Sequence, residues 1–330
     1  MMLGGSVRVL PLAAVVLAAL TTAAPAGPRN GATSSVTPSP APAHAGRVQQ
    51  AADTSCDPNR SPYPPPSSNT ASGPTIAAIK ARGRLNVGVD LNDYRWGFRG
   101  PDGKPEGFDI DIVHAIAQSL LGDPNAVNYF ALDDEQRIPR LDLTSPDPVD
   151  LVVHTMTITC QRMQQVDFST VYFNVVQRVL VPRANNDPGE SVDKALQGKR
   201  VCAASGSISE DDLKQNMHGA KAIVPVDQEL DCLVQMQLGK ADAALTDDSI
   251  AYSLAAQDPE AEVVAQPLDT TPEPYGIAVS KGAPDLTAWV NKVLEDYRKG
   301  PWQASYDKWL KPYVPGAAEA TPPPAEYQHA

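Results

Sequence analysis

The chain of 330 residues predicts an α/β protein made of two similar units with a cleft between them. Three observations carry that expectation. Strand-like and helix-like segments alternate, which in compact domains means sheets with right-handed crossovers. Several strands are continuous apolar runs, such as Val149-Asp150-Leu151-Val152-Val153, of the kind a sheet buried on both faces produces. The alternation also restarts near Arg200, after a first round that begins near Leu85. Two such units place a small-ligand site between them by default.

The chain opens with Arg8 before an apolar run from Val9 to Leu20, and Ala24-Pro25-Ala26 follows as an A-x-A-like cleavage site. Residues 1–26 are therefore expected to be an export signal. The run is short for a spanning helix, which takes about 20 apolar residues. An uncleaved anchor is the alternative. Leu20-Thr21-Thr22-Ala23 outlines a bacterial lipoprotein signal, but no cysteine follows it to take a lipid. The product is expected beyond the cytoplasmic membrane, at the cell envelope or extracellular, either free or tethered.

Prolines mark the next boundaries: residues 21–75 hold eleven of the 32, and 312–324 hold five. Such stretches bury too little apolar surface to fold alone. Residues 27–75 are expected to be a tether, 314–330 a disordered tail, and the folded body to span roughly Pro74 to Val314. Within it Ile76–Gly83 is a short helix stopped by glycine, and Leu85–Val89 alternates as a strand. Asp109–Leu121 puts Ile110, Val113, Ile116, Ala117 and Leu120 on one helical face, leaving Asp111 exposed. Val127–Phe130 is a strand, Glu135–Leu141 a short helix, and Val149–Val153 a strand. In the second round Arg200–Ala204, Ala222–Val226 and Ala241–Leu245 are strands. Helices are expected at Leu230–Leu238, Leu286–Tyr297 and Trp302–Leu310.

Net charge is 27 − 39 = −12. That excess disfavours a phosphate-backbone binder, so no nucleic-acid partner is expected; solubility is its plain role. The four cysteines, Cys56, Cys160, Cys202 and Cys232, match no CxxC-type metal or redox spacing, and no metal or cofactor is expected. An even count in an exported chain argues for two disulfides, with three connectivities open. Cys202 in a strand and Cys232 in a nearby helix form the favoured pair, closing a loop of about 31 residues worth ~3.5 kcal/mol in the chain-entropy model. Cys56 with Cys160 is the remainder.

Several stretches, taken together, resemble the bacterial extracellular solute-binding proteins of family 3, the amino-acid-binding components of ABC importers. They are Gly83–Val89, Gly107-Phe108-Asp109-Ile110-Asp111-Ile112, Thr155–Arg162 with Val166-Asp167-Phe168-Ser169, Gly198–Val201, Ala241–Asp248, Pro274–Val279, and Gly300-Pro301-Trp302 with Tyr306 and Trp309. Each is weak alone, but seven in the family's order across residues 76–311 are specific. The cysteines and proline-rich tether look most like the actinobacterial glutamine/glutamate-binding lipoproteins. The resemblance implies a type II periplasmic-binding-protein-like fold whose two lobes, joined by two crossover strands, close on an amino acid. Lobe 1 would be 76–181 with 275–313, lobe 2 would be 182–272, and the crossovers would lie near Val179–Arg183 and Thr271–Tyr275.

Site residues follow from what a free amino acid requires. Its α-carboxylate suits a planar, bidentate guanidinium; by resemblance that is Arg162, with Thr157 donating beside it. Its α-ammonium needs an anion, and the family places an aspartate at Asp247, with Asp248 the neighbour that could serve instead. Thr155 and His154 flank a position whose backbone binds the ammonium in the family. Free N–H groups at the helix start after Ser205-Gly206 suit a carboxylate, with a hydroxyl from Ser207 or Ser209; an N-cap role for Ser209 is the alternative. The usual aromatic wall is represented by Trp96 or Tyr94, with core packing as the alternative. His154 lacks a partner histidine for a metal. Arg95, Arg178 and Lys199 are the cations composition offers to an acidic or amide side chain. The Leu141–Val149 loop is longer than in the family.

No Gly-x-Ser-x-Gly, HExxH, P-loop or Cys–His pair is present, so an enzyme, dehydratase-like by the same fold, is the lesser expectation. The expected function is capture of glutamate, glutamine, aspartate or asparagine for the membrane permease of an ABC importer. Presentation of ligand occupancy to a membrane sensor is the alternative.

Overall fold

The computed structural model describes residues 56–187, 191–314 and 320–328. The expected signal and residues 27–55 of the expected tether lie outside these. Two five-stranded sheets form the described body. The first has the order Val127–Ala131, Leu85–Val89, Leu151–Val152, Ala278–Ser280, Val166–Phe168. Its first three strands are parallel, and Ala278–Ser280 runs antiparallel to both neighbours. The second repeats the plan with Ala222–Val226, Arg200–Ala204, Ala243–Asp247, Gln177–Pro182 and Ala261–Val263, where Gln177–Pro182 is the antiparallel member. The restart in the sequence is thus a second copy of one topology. No helix among the described residues is long and apolar enough to cross a membrane.

Gln177–Pro182 corrects the expected position of the crossover. It pairs with Ala243–Asp247 and Ala261–Val263, so residues 177–181 belong to the second lobe's sheet. The chain crosses earlier, at Phe173–Val175, which pairs antiparallel with the returning strand Glu273–Tyr275. An apolar run alone does not say which sheet receives it; hydrogen-bond partners do. The expected helix over 135–141 is instead two 3₁₀ turns, Asp134–Gln136 and Pro139–Leu141. Pro139 has no N–H to continue a helix, and its ring clashes with the preceding turn.

Both crossover strands rest on an aromatic core. Phe108, at the start of the helix Phe108–Leu121, meets Trp96, Phe173 and Trp302, and Tyr275 stands against Trp96. Gly107 lets that helix begin there: its φ is 135°, and a Cβ would lie 2.2 Å from the Trp96 carbonyl oxygen. Asp111 is not the free surface residue expected. It accepts hydrogen bonds from Ser305 Oγ (2.7 Å) and Trp309 Nε1 (2.8 Å), tying this helix to Pro301–Trp309.

The disulfides are Cys202–Cys232 and Cys56–Cys160. The second fastens a segment that belongs to the body, not to a tether. Ser61 is fully buried and donates to the Phe168 carbonyl at 2.7 Å. Asn291, also fully buried, donates to Ser61 Oγ (2.8 Å) and the Tyr63 carbonyl (2.7 Å) and accepts from the Thr170 N–H (2.7 Å). The tail is likewise corrected over 320–328. Ser61 donates to the Glu326 carbonyl and accepts from the Gln328 N–H, both at 3.0 Å, and Arg298 holds the Pro323 carbonyl at 2.7 Å. Composition rightly denies these segments a core of their own; distant partners supply one. Truncation after Val314 removes these bonds at a net ~0.5–1.5 kcal/mol each. A loss of about 2 kcal/mol in a body this size lowers the Tm by roughly 4–8 °C. Calorimetry that finds no change in Tm would refute this docking.

Candidate functional site

The seam between the lobes is built from the ends of their central strands. In lobe 1 the chain leaves Leu151–Val152 as His154-Thr155-Met156-Thr157 and enters the short helix Cys160–Met163. Thr159 caps that helix, its hydroxyl accepting the Arg162 N–H at 3.1 Å. This fixes the base of the Arg162 side chain, whose guanidinium donates to the Thr157 carbonyl (2.8 Å) and, across the seam, to the Gly206 carbonyl (3.0 Å). Arg162 is 9% exposed. Burial, then the like charge of Arg137, pulls its pKa down to about 10, so it stays cationic at neutral pH. Thr155 has φ 43°, an uncommon conformation for a β-branched residue. Its N–H donates to Asp109 Oδ2 at 3.0 Å, which holds it there.

Lobe 2 contributes the turn Gly206–Ser207 before the helix Ile208–Asn216. Ser207, not Ser209, is the N-cap: its hydroxyl accepts the Glu210 N–H at 3.1 Å, and Glu210 Oε2 accepts the Gly206 N–H at 2.9 Å. The Ser209 hydroxyl is engaged within lobe 2, donating to Gln177 Oε1 at 2.6 Å. Gly206 is required on two counts. Its φ is 80°, and a Cβ would stand 2.9 Å from Glu135 Cγ and 3.1 Å from the Glu135 amide nitrogen. That approach brings lobe 2 against lobe 1.

Asp247 ends the strand Ala243–Asp247 and is wired to the neighbouring strand of its own sheet and to the returning crossover. It accepts from Gln177 Nε2 at 2.5 Å and from the Tyr275 hydroxyl. Burial, followed by the like charge of Glu273, raises its pKa well above the usual carboxylate range. Arg137 stands beside it in the seam, paired with Asp134 at 3.0 Å and donating to the Gly206 carbonyl at 3.2 Å.

Six of the seven expected ligand residues line one small space: Thr155, Thr157, Arg162, Ser207, Ser209 and Asp247. The walls leave about 10 Å³ between them, room for one water at most. The lobes are shut on this seam. A wider groove of about 1230 Å³ runs beside it past Leu143, Gln161 and Asp212, without Thr155, Thr157 or Asp247 in its walls.

The other expectations are placed elsewhere. Trp96 is fully buried in the aromatic core and does not line the seam. Tyr94 packs on Phe98 and under the Arg95 guanidinium, which is itself sandwiched by Tyr313. Arg178 turns outward to the carbonyls of Val264 and Ala265, and Lys199 lies on the far side of lobe 2 against Asn185 and Asp242. His154 meets the Leu132 carbonyl at 2.9 Å, between Asp90 (3.6 Å) and Asp134 (3.7 Å). Among the described residues no His/Cys/Asp/Glu group is arranged to hold a metal ion. Arg137, Gln177 and Tyr275 were not singled out from sequence. Tyr275 stands in a motif that could have pointed to it, whereas nothing local marks Arg137.

Known proteins share the fold and part of the sequence. The chain is 34% identical over 239 residues to the ABC transporter glutamine-binding protein GlnH of Bacillus subtilis, covering 72% of this chain and 85% of that protein. It is 27% identical to the glutamate-binding protein GluB of Corynebacterium glutamicum over 69% of this chain and 78% of that one. Among solved structures, the solute receptor for L-cysteine of Neisseria gonorrhoeae superposes with a TM-score of 0.67 at 26% identity, over 74% of this chain and 98% of that one. An ancestral arginine-binding protein bound to arginine superposes at 0.62 with 34% identity, over 69% and 99%. The fold is that of the type II periplasmic amino-acid-binding proteins. The model of the bacterial extracellular solute-binding proteins, family 3, matches residues 85–312, and the chain belongs to that family.

Proposed function

We propose that this solute-binding protein captures a free polar amino acid between its lobes and presents it to the membrane permease of an ABC importer. One observation carries the reading: Arg162 from lobe 1 and Asp247 from lobe 2 line the same buried seam. An α-carboxylate and an α-ammonium are the two charges every free amino acid offers, and these residues match them in sign and from opposite sides. Arg162 spends two of its five N–H donors on carbonyls, leaving others for a carboxylate. Thr157 and Ser207 stand beside it with hydroxyls. The hydrogen bond from Tyr275 ties Asp247 to the returning crossover, so the ammonium site is coupled to a connection about which the lobes close. The importer as partner rests on the ABC transporter relative.

A thermal-shift screen of the twenty amino acids tests the proposal. At 100 times Kd the bound form gains ~2.7 kcal/mol, which raises the Tm by roughly 5–10 °C. A shift with a small set of polar amino acids is the expected result. No shift with any of the twenty would reject it.

A further inference from the structure

We infer that the Cys56–Cys160 bridge is a redox-sensitive clasp that positions Arg162 for the ligand carboxylate. A dithiol reductant opens the clasp and weakens amino-acid binding; a disulfide oxidant restores both. The inference rests on the reading of Arg162 as the carboxylate partner, and adds how its position is held and released.

Arg162 lies in the four-residue helix Cys160–Met163, a single turn. So short a helix has too few backbone bonds to hold itself. Its flanks are secured: the Ile158 N–H donates to the Pro274 carbonyl at 2.7 Å, and Val166–Phe168 is a strand of the first sheet. Between them Gln161, Gln164 and Gln165 are exposed, while the Arg162 side chain reaches inward to the Gly206 carbonyl. The bridge grips this turn at both ends. Cys160 is its first residue, and Cys56 Sγ stands 3.6 Å from the sulfur of Met163, its last. Arg162 sits between the two points that Cys56 touches.

The two bridges differ in what a reductant meets. Cys202 and Cys232 are 0% and 2% exposed in lobe 2, whereas Cys160 is exposed and Cys56 half-buried. Thiol–disulfide exchange requires a thiolate to reach a bridge sulfur, so the outer bridge opens first. One thiolate of the dithiol attacks a bridge sulfur, a mixed disulfide forms, and one cysteine leaves as its thiolate. The second thiol then closes the reagent into a cyclic disulfide and frees the other cysteine. Two electrons and two protons pass from the dithiol to Cys56 and Cys160. The opened bridge stays poised to close again. Ser61, fully buried and bonded to the Phe168 carbonyl, holds the chain five residues after Cys56, a span of at most ~18 Å. Cys56 therefore keeps a high effective concentration near Cys160.

Calorimetric titration with each of the twenty amino acids, well below the Tm, compares the parent, the parent in graded dithiothreitol, and the paired variant Cys56→Ser/Cys160→Ser, with and without Arg162→Ala. Thiol labelling and peptide mapping should find Cys56 and Cys160 modified while Cys202 and Cys232 remain bridged. In that state, and in the serine pair, the best-bound amino acid should lose roughly tenfold in affinity, about 1.4 kcal/mol, with the parent's circular dichroism retained. Exchange into oxidised glutathione should return the reduced parent to its starting affinity. Added to Arg162→Ala, the serine pair should cost at most about twofold more, because the clasp acts through that guanidinium. Parental affinity in the serine pair overturns the clasp, as does Cys202–Cys232 opening first or a loss that oxidation does not reverse. So does an equal loss on top of Arg162→Ala, or a serine pair that fails to fold, since the bridge would then hold the lobe and not the turn. Each of these leaves the amino-acid trap standing. If the parent binds none of the twenty, the trap fails and the clasp with it.

Discussion

Arg162→Ala is expected to weaken amino-acid binding by two to nearly four decades while leaving the protein folded. A carboxylate enclosed between shut lobes has lost its water, and removing its partner leaves that charge buried and unpaired. Such losses cost ~3–5 kcal/mol. Lysine at the same position should recover only part, because an ammonium offers a point charge where the guanidinium offers a fork. The cost to the ligand-free fold is smaller. One bond to the Thr157 carbonyl within lobe 1 is lost, worth ~1 kcal/mol, or roughly 2–4 °C in Tm. The bond to the Gly206 carbonyl joins the lobes, so its loss falls on closure more than on folding. The expected signature is a near-parental Tm without ligand and no ligand-induced shift. Calorimetry that finds parental affinity in Arg162→Ala would end the reading of Arg162 as the carboxylate partner.

Local chemistry explains how much of this was visible in the sequence. The repeated strand-helix alternation follows from side-chain period alone, and both lobes show it. The Cys202–Cys232 bridge was favoured because its two elements are near neighbours in the chain. Arg162, Asp247 and their companions came from short motifs that the family resemblance reads, and the fold brings them to one seam. What escaped depends on partners far away in sequence. Trp96 near a turn looks the same whether it walls a cleft or fills a core, and only its contacts with Phe108, Phe173 and Tyr275 decide. Arg137 has no pattern around it. Gly206 acts through its carbonyl, which no residue type reveals. Ser61 and Asn291 lie 230 residues apart, so a proline-rich segment that cannot fold alone is nonetheless fastened to the body.

Stability is expected to fall, not rise, between pH 4 and pH 7, and Asp109→Asn is expected to flatten that fall. Asp109 stands in the first turn of its helix, where the backbone dipole favours an anion. It also accepts the Thr155 N–H, which favours the anion again. Burial outweighs both: the residue is 2% exposed and its pKa is raised from 3.8 to about 7. Between those two values the folded state holds a proton that the unfolded state has released. Rising pH therefore draws the equilibrium toward the unfolded state, and stability present below about pH 4 is lost as pH climbs through about 7. Some three pKa units at 1.36 kcal/mol each make this ~4 kcal/mol. Asp93, Asp247 and Glu229 shift in the same direction and add to the slope, while His114, whose pKa burial lowers, opposes it. Asparagine at 109 keeps an oxygen for the Thr155 N–H and does not ionise. It should preserve the left-handed turn at Thr155, and with it ligand binding, while removing its share of the slope. Urea denaturation at half-unit steps from pH 4.5 to 8 provides the measurement. A variant with the parent's slope would show that Asp109 is ionised in the folded protein throughout, and a parent whose stability climbs across that range would refute the expected fall.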